Sequence, residues 1–140
     1  MKDWLLTIQP NSCILLIGQS RNVPQFTCFY YRKENGELPV RLFIDSLNFQ
    51  TQRKFFFAVK LLEEFGPRLP QPHAKYTGEG IFELRFGGQE GAIRIFYFFY
   101  GQNQVILTNG FVKKSRKLPH REKGLAIERR RLFYDEHRKS

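Results

Sequence analysis

Residues 80 to 117 fix most of what this chain can fold into: GIFELRF, a GGQEG turn, AIRIFYFFY, GQN, QVILTNGF and the basic run VKKSRK follow one another with nothing longer than a hairpin loop between them. Successive side chains on a strand point to opposite faces. Ile81, Glu83 and Arg85 therefore share one face, and Phe82, Leu84 and Phe86 the other. In the next run Ile93, Ile95, Tyr97 and Phe99 alternate with Ala92, Arg94, Phe96, Phe98 and Tyr100, which sets Arg94 among almost wholly apolar neighbours. The third run sets Val105, Leu107 and Asn109 against Ile106, Thr108 and Gly110. Gly87-Gly88 and Gly101-Gln102-Asn103 supply the backbone that hairpin loops need. The spacing predicts an antiparallel meander whose exit carries a cluster of cations.

Upstream, Phe26, Cys28 and Tyr30 alternate with Thr27, Phe29 and Tyr31 as a first strand, and Asn35-Gly36 marks a turn. Pro39 stands where a helix takes its first residue, with Val40, Phe43, Ile44 and Leu47 at helical spacing behind it. Asn48 caps or breaks that short helix. Thr51 to Phe65 then reads as a longer one, with Phe55, Val59 and Leu62 in a stripe that Phe56 and Phe57 widen, and Gly66-Pro67 stops it. Pro70, Pro72 and Gly78 mark an extended connector holding His73, Lys75 and Tyr76. After the meander, Pro119 opens a last helix with a narrow apolar seam through Glu122, Leu125, Glu128, Arg129, Leu132 and Phe133. The class is α+β in one domain, residues 26 to 140. Residues 1 to 25 form an N-terminal extension or an edge strand, interrupted by Pro10 and Pro24.

A chain of 140 residues holds one core. Its net charge is +10, and the last 30 residues hold 11 Lys/Arg against 4 Asp/Glu, a field suited to a polyanion or an acidic protein. Cys13 and Cys28 have no zinc-site spacing and make no disulfide framework, which fits a reducing cytoplasm. The apolar run Cys13 to Gly18 is far below the ~20 residues that span a bilayer, so neither a membrane segment nor an export signal is expected.

The usual catalytic signatures are missing: there is no GxSxG, Walker loop or HExxH, and the glycines at 87, 88 and 91 open no helix. A metal nuclease needs converging carboxylates, and the meander offers only Glu79, Glu83 and Glu90; no metal and no cofactor are expected. Cations are what it has in excess. Arg85 and Arg94 lie on neighbouring strands, and Lys113, Lys114 and Arg116 leave the third. The two arginines are either ion-pair partners of Glu83 or Glu90, or they face a concave surface rimmed by Lys75 and Lys113. In the second case they would hold a phosphodiester and stabilise an in-line transition state. RNA brings its own nucleophile, the 2′-hydroxyl, so such a site needs no metal.

YRKENGELPVRLFIDSL, LLEEFGPRLPQPHAKYTGEGIFELR, IRIFYFFY, GFVKKSRKLPHRE and the pair Ala126 and Arg129 together resemble the RelE/HigB-type toxins of bacterial toxin–antitoxin pairs, in the phage-derived HigB-like branch of the RelE/ParE superfamily. The resemblance covers Phe26 to about Tyr134. It implies a β-α-α-β-β-β order, a small antiparallel-cored sheet with two N-terminal helices on one face, and a C-terminal helix. It also implies a metal-independent, ribosome-dependent endoribonuclease that cleaves mRNA, and an acidic or helix-turn-helix antitoxin as partner. On this reading Arg85, Arg94, Lys113 and Lys114 act on the message, with His120 near the position where relatives carry a proton-transferring Tyr or His. Lys75, Arg116, Lys117 and Arg121 bind the RNA backbone. Relatives often carry His before the Gly-Phe pair and Thr-Pro further on, where this chain has Asn109 and Leu118-Pro119. Two other classes are a non-enzymatic inhibitor of a large target such as DNA gyrase, as on this same fold, and a degenerate RNA-binding module.

Overall fold

The computed structural model describes residues 25 to 139, so the expected N-terminal extension lies almost wholly outside the described residues. The chain is α+β with a mixed five-stranded sheet. Its elements are β1 (Thr27–Tyr30), α1 (Pro39–Asp45), α2 (Phe49–Phe65) with a 3-10 turn at Gly66–Arg68, β2 (Ala74–Gly78), β3 (Ile81–Gly88), β4 (Gly91–Tyr100), β5 (Gln104–Lys113) and α3 (His120–Lys139). The sheet order is β1-β5-β4-β3-β2. The meander forms as expected. One correction applies, at an edge.

Residues 74 to 78 are a strand, not a connector, pairing antiparallel with β3 from Ala74 opposite Leu84 to Gly78 opposite Ile81. The pattern concealed it because an edge strand shows little alternation: Lys75 and Tyr76 are both exposed. The expected four-strand order is thus one strand short. At the other edge β1 pairs parallel with β5, Thr27 opposite Gln104 and Tyr30 opposite Leu107, so the sheet is not purely antiparallel.

Two cores lie on the two faces. On one, α1 and α2 bury Val40, Ile44, Phe55, Val59 and Leu62 against Leu84, Ile93, Ile95, Tyr97 and Leu107. Asn48 caps α2 by accepting from the Gln50 N–H, and the helix begins two residues before the expected Thr51. On the other face α3 packs Ala126 and Phe133 on Phe96, Phe98 and Ile106. The expected seam of α3 is rotated: Leu125 and Leu132 are 38% and 41% exposed, while Phe133 and Tyr134 stack around Tyr100 and Phe98. The small Ala126 lets the helix approach, and aromatic edge-to-face contacts fix its rotation. No helix among the described residues is long and apolar enough to cross a membrane.

A further departure bears on the site. A bulge between Phe96 and Tyr97 of β4 and their partners leaves Thr108 unpaired, so Leu107 lies opposite Tyr97 but Asn109 opposite Phe96. Asn109 therefore leaves the face of Leu107 and turns to α3, where its amide donates to the Glu122 carboxylate at 3.0 Å. A bulge adds one residue and inverts the faces beyond it.

The outer edge of β1 is covered by Glu63 of α2. Its carboxylate accepts the Cys28 N–H at 2.8 Å, and its main-chain carbonyl accepts from Phe26. Burial pushes the Glu63 carboxyl up from 4.5 to about 6, against the smaller opposing effect of the Cys28 bond. Between these values the folded chain keeps a proton that the unfolded chain has released, so stability is fully present at the acid end and declines as pH rises. Thermal midpoints measured from pH 4 to 7 should show Glu63→Gln with a flatter acid-to-neutral decline than the parent, the gap amounting to on the order of 2 kcal/mol. Parallel curves for the two proteins would mean that Glu63 titrates normally.

Candidate functional site

The register converts the sheet face under α3 into three rows. The first runs Lys75, Glu83, Phe96, Asn109 across β2 to β5, the second Arg85, Arg94, Phe111, and the third Gly87, Ala92, Lys113. In the first row all but the edge residue Lys75 are buried, whereas the second and third rows are half-buried or exposed. Helix α3 thus seals one half of this face and leaves the cationic half open.

Arg85 and Arg94 are directly opposed on β3 and β4. The Arg85 N–H donates to the His73 carbonyl at 2.8 Å, away from β4, which makes the arginine pair a non-hydrogen-bonded one, the type whose side chains stand closest. Two like charges facing each other need a counter-ion, and Glu83 supplies it. Its oxygens lie 3.3 Å from Arg85 Nε and 3.9 Å from Arg94 Nε, with the carboxylate side chain 4% exposed against 23% and 13% for the arginines. Neither Nε–H finds a hydrogen-bond acceptor among the described residues, so the attraction to Glu83 is Coulombic. Burial first, and the charge of Arg85 second, draw the Arg94 pKa below its ordinary value, with Glu83 opposing. Two guanidiniums on one carboxylate leave a net positive charge, which attracts an oxyanion; Arg94 Nη1 donates to its neighbour's main-chain carbonyl, that of Ile93, at 3.0 Å.

Of the two carboxylates considered as partners, Glu83 takes both arginines. Glu90 is engaged elsewhere: from the β3–β4 hairpin it accepts the Thr51 hydroxyl at 2.7 Å and the Asn48 N–H at the start of α2. These bonds hold its carboxyl below the usual range. The hairpin is tight against that helix, since a β-carbon on Gly88 would collide with the Thr51 side chain.

The remaining cations spread around this pair. Lys75 is exposed on β2 opposite Glu83, and Lys113 is half-buried at the end of β5 opposite Ala92. Lys114, Arg116 and Lys117 are exposed between β5 and α3, and His120 and Arg121 are exposed at the start of α3. Ala126 and Arg129, by contrast, belong to the packing of α3. Ala126 is fully buried, and Arg129 donates to the Thr108 carbonyl at 2.9 Å and lies over the Tyr31 ring. No three His, Cys, Asp or Glu side chains among the described residues converge as metal ligands.

Sequence reasoning missed two features. One is Lys123, 6% exposed, whose ammonium donates to the Thr77 carbonyl at 2.7 Å and ties α3 to β2; it was hidden in a run of charges. The other is a groove of about 710 Å³ that wraps the sheet edge where β2 begins. It joins Arg85 and Arg94 to Phe86 of β3, to Lys54 and Phe57 of α2, and to His73 of the preceding loop. Those groups are distant in sequence and come from both sides of the sheet, so no motif could unite them. His120 does not line this groove, whereas His73 does.

Comparison with the curated proteins finds no match. The model of the phage-derived Gp49-like proteins (DUF891) matches residues 42 to 131, more than half of the chain and the whole of the sheet except β1. That family is counted among the candidate toxins of toxin–antitoxin systems, whose members are expected to pair with an antitoxin. The matched stretch contains α2, the β3–β4 arginine pair and most of α3, and on that match the chain belongs to the Gp49-like family of phage-derived proteins.

Proposed function

We propose that this protein is the toxin of a toxin–antitoxin pair of the RelE/HigB type, and that it cleaves mRNA on the ribosome without a metal. The observation that carries the reading is the opposed pair Arg85 and Arg94, two guanidiniums that share the one carboxylate of Glu83 and so keep a net positive charge on the open half of the face. The RNA 2′-oxygen bonds to the adjacent phosphorus and the bond to the 5′-oxygen breaks, leaving a 2′,3′-cyclic phosphate on one fragment and a 5′-hydroxyl on the other. The 2′-hydroxyl proton leaves to solvent or a basic side chain, and the 5′-oxygen gains one. Charge accumulates on the non-bridging oxygens, and positioned guanidiniums stabilise it where it develops. The basic exit Lys113, Lys114, Arg116 and Lys117 and the rim residues Lys75 and Arg121 supply sequence-independent attraction to ribosomal and messenger RNA. An acidic antitoxin fits the same surface.

The test is a ribosome-bound message carrying one 2′-deoxy nucleotide at the scissile position. It should remain uncut while the unmodified message is cut to a cyclic or 3′-phosphate end. Cutting of the deoxy message would refute attack by the 2′-hydroxyl. Failure to cut either message, with growth arrest still observed on expression, would favour a non-enzymatic binder.

A further inference from the structure

Phe57 presents its ring on the outer side of α2 and is 62% exposed. Single exposed apolar residues are ordinary, but this one lines the same groove as both strand arginines. β3 is unpaired on that side past Arg85: the last β2 partner is Ala74 opposite Leu84, followed only by the bond from Arg85 N–H to His73 O. By the alternation of an antiparallel strand, the Gly87 N–H also points away from β4, toward the groove. No atom lies within 4 Å of where a Gly87 β-carbon would stand, so the wall there is open to a ligand. Lys54 and His73 add cationic or donor groups to the rim, and no carboxylate is among the lining residues.

We infer that this groove is a nucleotide subsite for single-stranded RNA, in which one base stacks on Phe57 while its phosphate lies at Arg85 and Arg94. The inference rests on the nuclease reading above and deepens it, because a base held in this groove would set which position along the message reaches the arginines. An aromatic ring, an open strand edge and a cationic wall are the parts that single-stranded nucleic-acid sites combine. An acidic protein segment would use the same cations and the same open strand edge, so a binding test has to set RNA against an acidic peptide.

The full chain is tested by fluorescence anisotropy with a non-cleavable 2′-fluoro RNA hexamer, and with a set of hexamers bearing one abasic position in turn. Phe57→Ala should weaken binding of the intact hexamer about tenfold, and Phe57→Trp should retain it. One abasic hexamer should bind the parent as weakly as Phe57→Ala binds the intact one, with no further loss when the two changes are combined. Arg85→Ala should weaken intact and abasic hexamers alike, since it removes a phosphate contact. Phe57 is exposed, so the variant should melt with the parent. Unchanged binding of both hexamers by Phe57→Ala would overturn the subsite. So would an equal loss of affinity for a polyglutamate peptide, which would make the groove a surface for acidic protein. Ribosomal cleavage assayed in parallel separates the two readings. Normal cutting by a Phe57→Ala protein with unaltered binding removes the subsite alone, whereas a parent protein that cuts nothing removes the nuclease reading beneath it.

Discussion

Arg94→Ala should lower the single-turnover rate of message cleavage by about 10²- to 10³-fold, the loss expected when one preorganised donor to a developing oxyanion is removed. Ribosome affinity should change by no more than about threefold, because an interaction realised chiefly in the transition state lowers turnover more than binding. Arg94 is the more buried of the two strand guanidiniums, so its orientation is fixed by packing. Arg94→Lys should not restore the rate, since an ammonium cannot reproduce the planar fork. Saturating single-turnover kinetics on programmed ribosomes checks this. A variant that cuts normally once saturated would show Arg94 to be only a binding residue.

The second large effect concerns Glu83. Glu83→Gln should destabilise the fold by about 3 kcal/mol, within the range for breaking a buried ion pair from one side, because two opposed guanidiniums then lose the counter-charge they share. Denaturant melts give the value. Replacing all three residues by apolar ones of similar volume, Glu83→Leu with Arg85→Met and Arg94→Met, should recover most of that stability and abolish cleavage. If Glu83→Gln were neutral, solvent would already be screening the two guanidiniums from each other. If the triple variant stayed as unstable as the single, the ions would be needed for folding itself.

Glu83 and Arg85 could be placed on one face from alternation alone, because a side-chain period of two leaves no freedom within a strand until a bulge intervenes; Arg94 joins them only through the β3–β4 register. Asn109 lies beyond such a bulge, and nothing in QVILTNGF marks Thr108 as the extra residue. The choice between Glu83 and Glu90 as counter-ion was open for a similar reason, since the hairpin residue Glu90 is claimed by a helix start some forty residues earlier. Lys75 was placed near the arginines, but the strand that carries it was not, since edge positions are wetted on both faces. The rotation of α3 escaped the pattern because Leu125 and Leu132 look like core in a one-dimensional reading. The aromatic cluster around Tyr100 turns them outward.

The pairing of β1 with β5 has a consequence for how the protein is made. Chains are synthesised from the N-terminus, and Cys28 and Tyr30 find their register partners Val105 and Leu107 only after the other three strands have been produced. Such distant pairing places folding toward the slow, millisecond-to-second end for small domains. The β3–β4 hairpin, whose contacts are local, can close early and bring Arg85 opposite Arg94. Until β5 docks alongside β4, though, the second edge of β4 stays unpaired and α3 has no complete face to cover. A nascent chain therefore holds its arginine pair unanchored, and the cationic site matures late in the chain's own production.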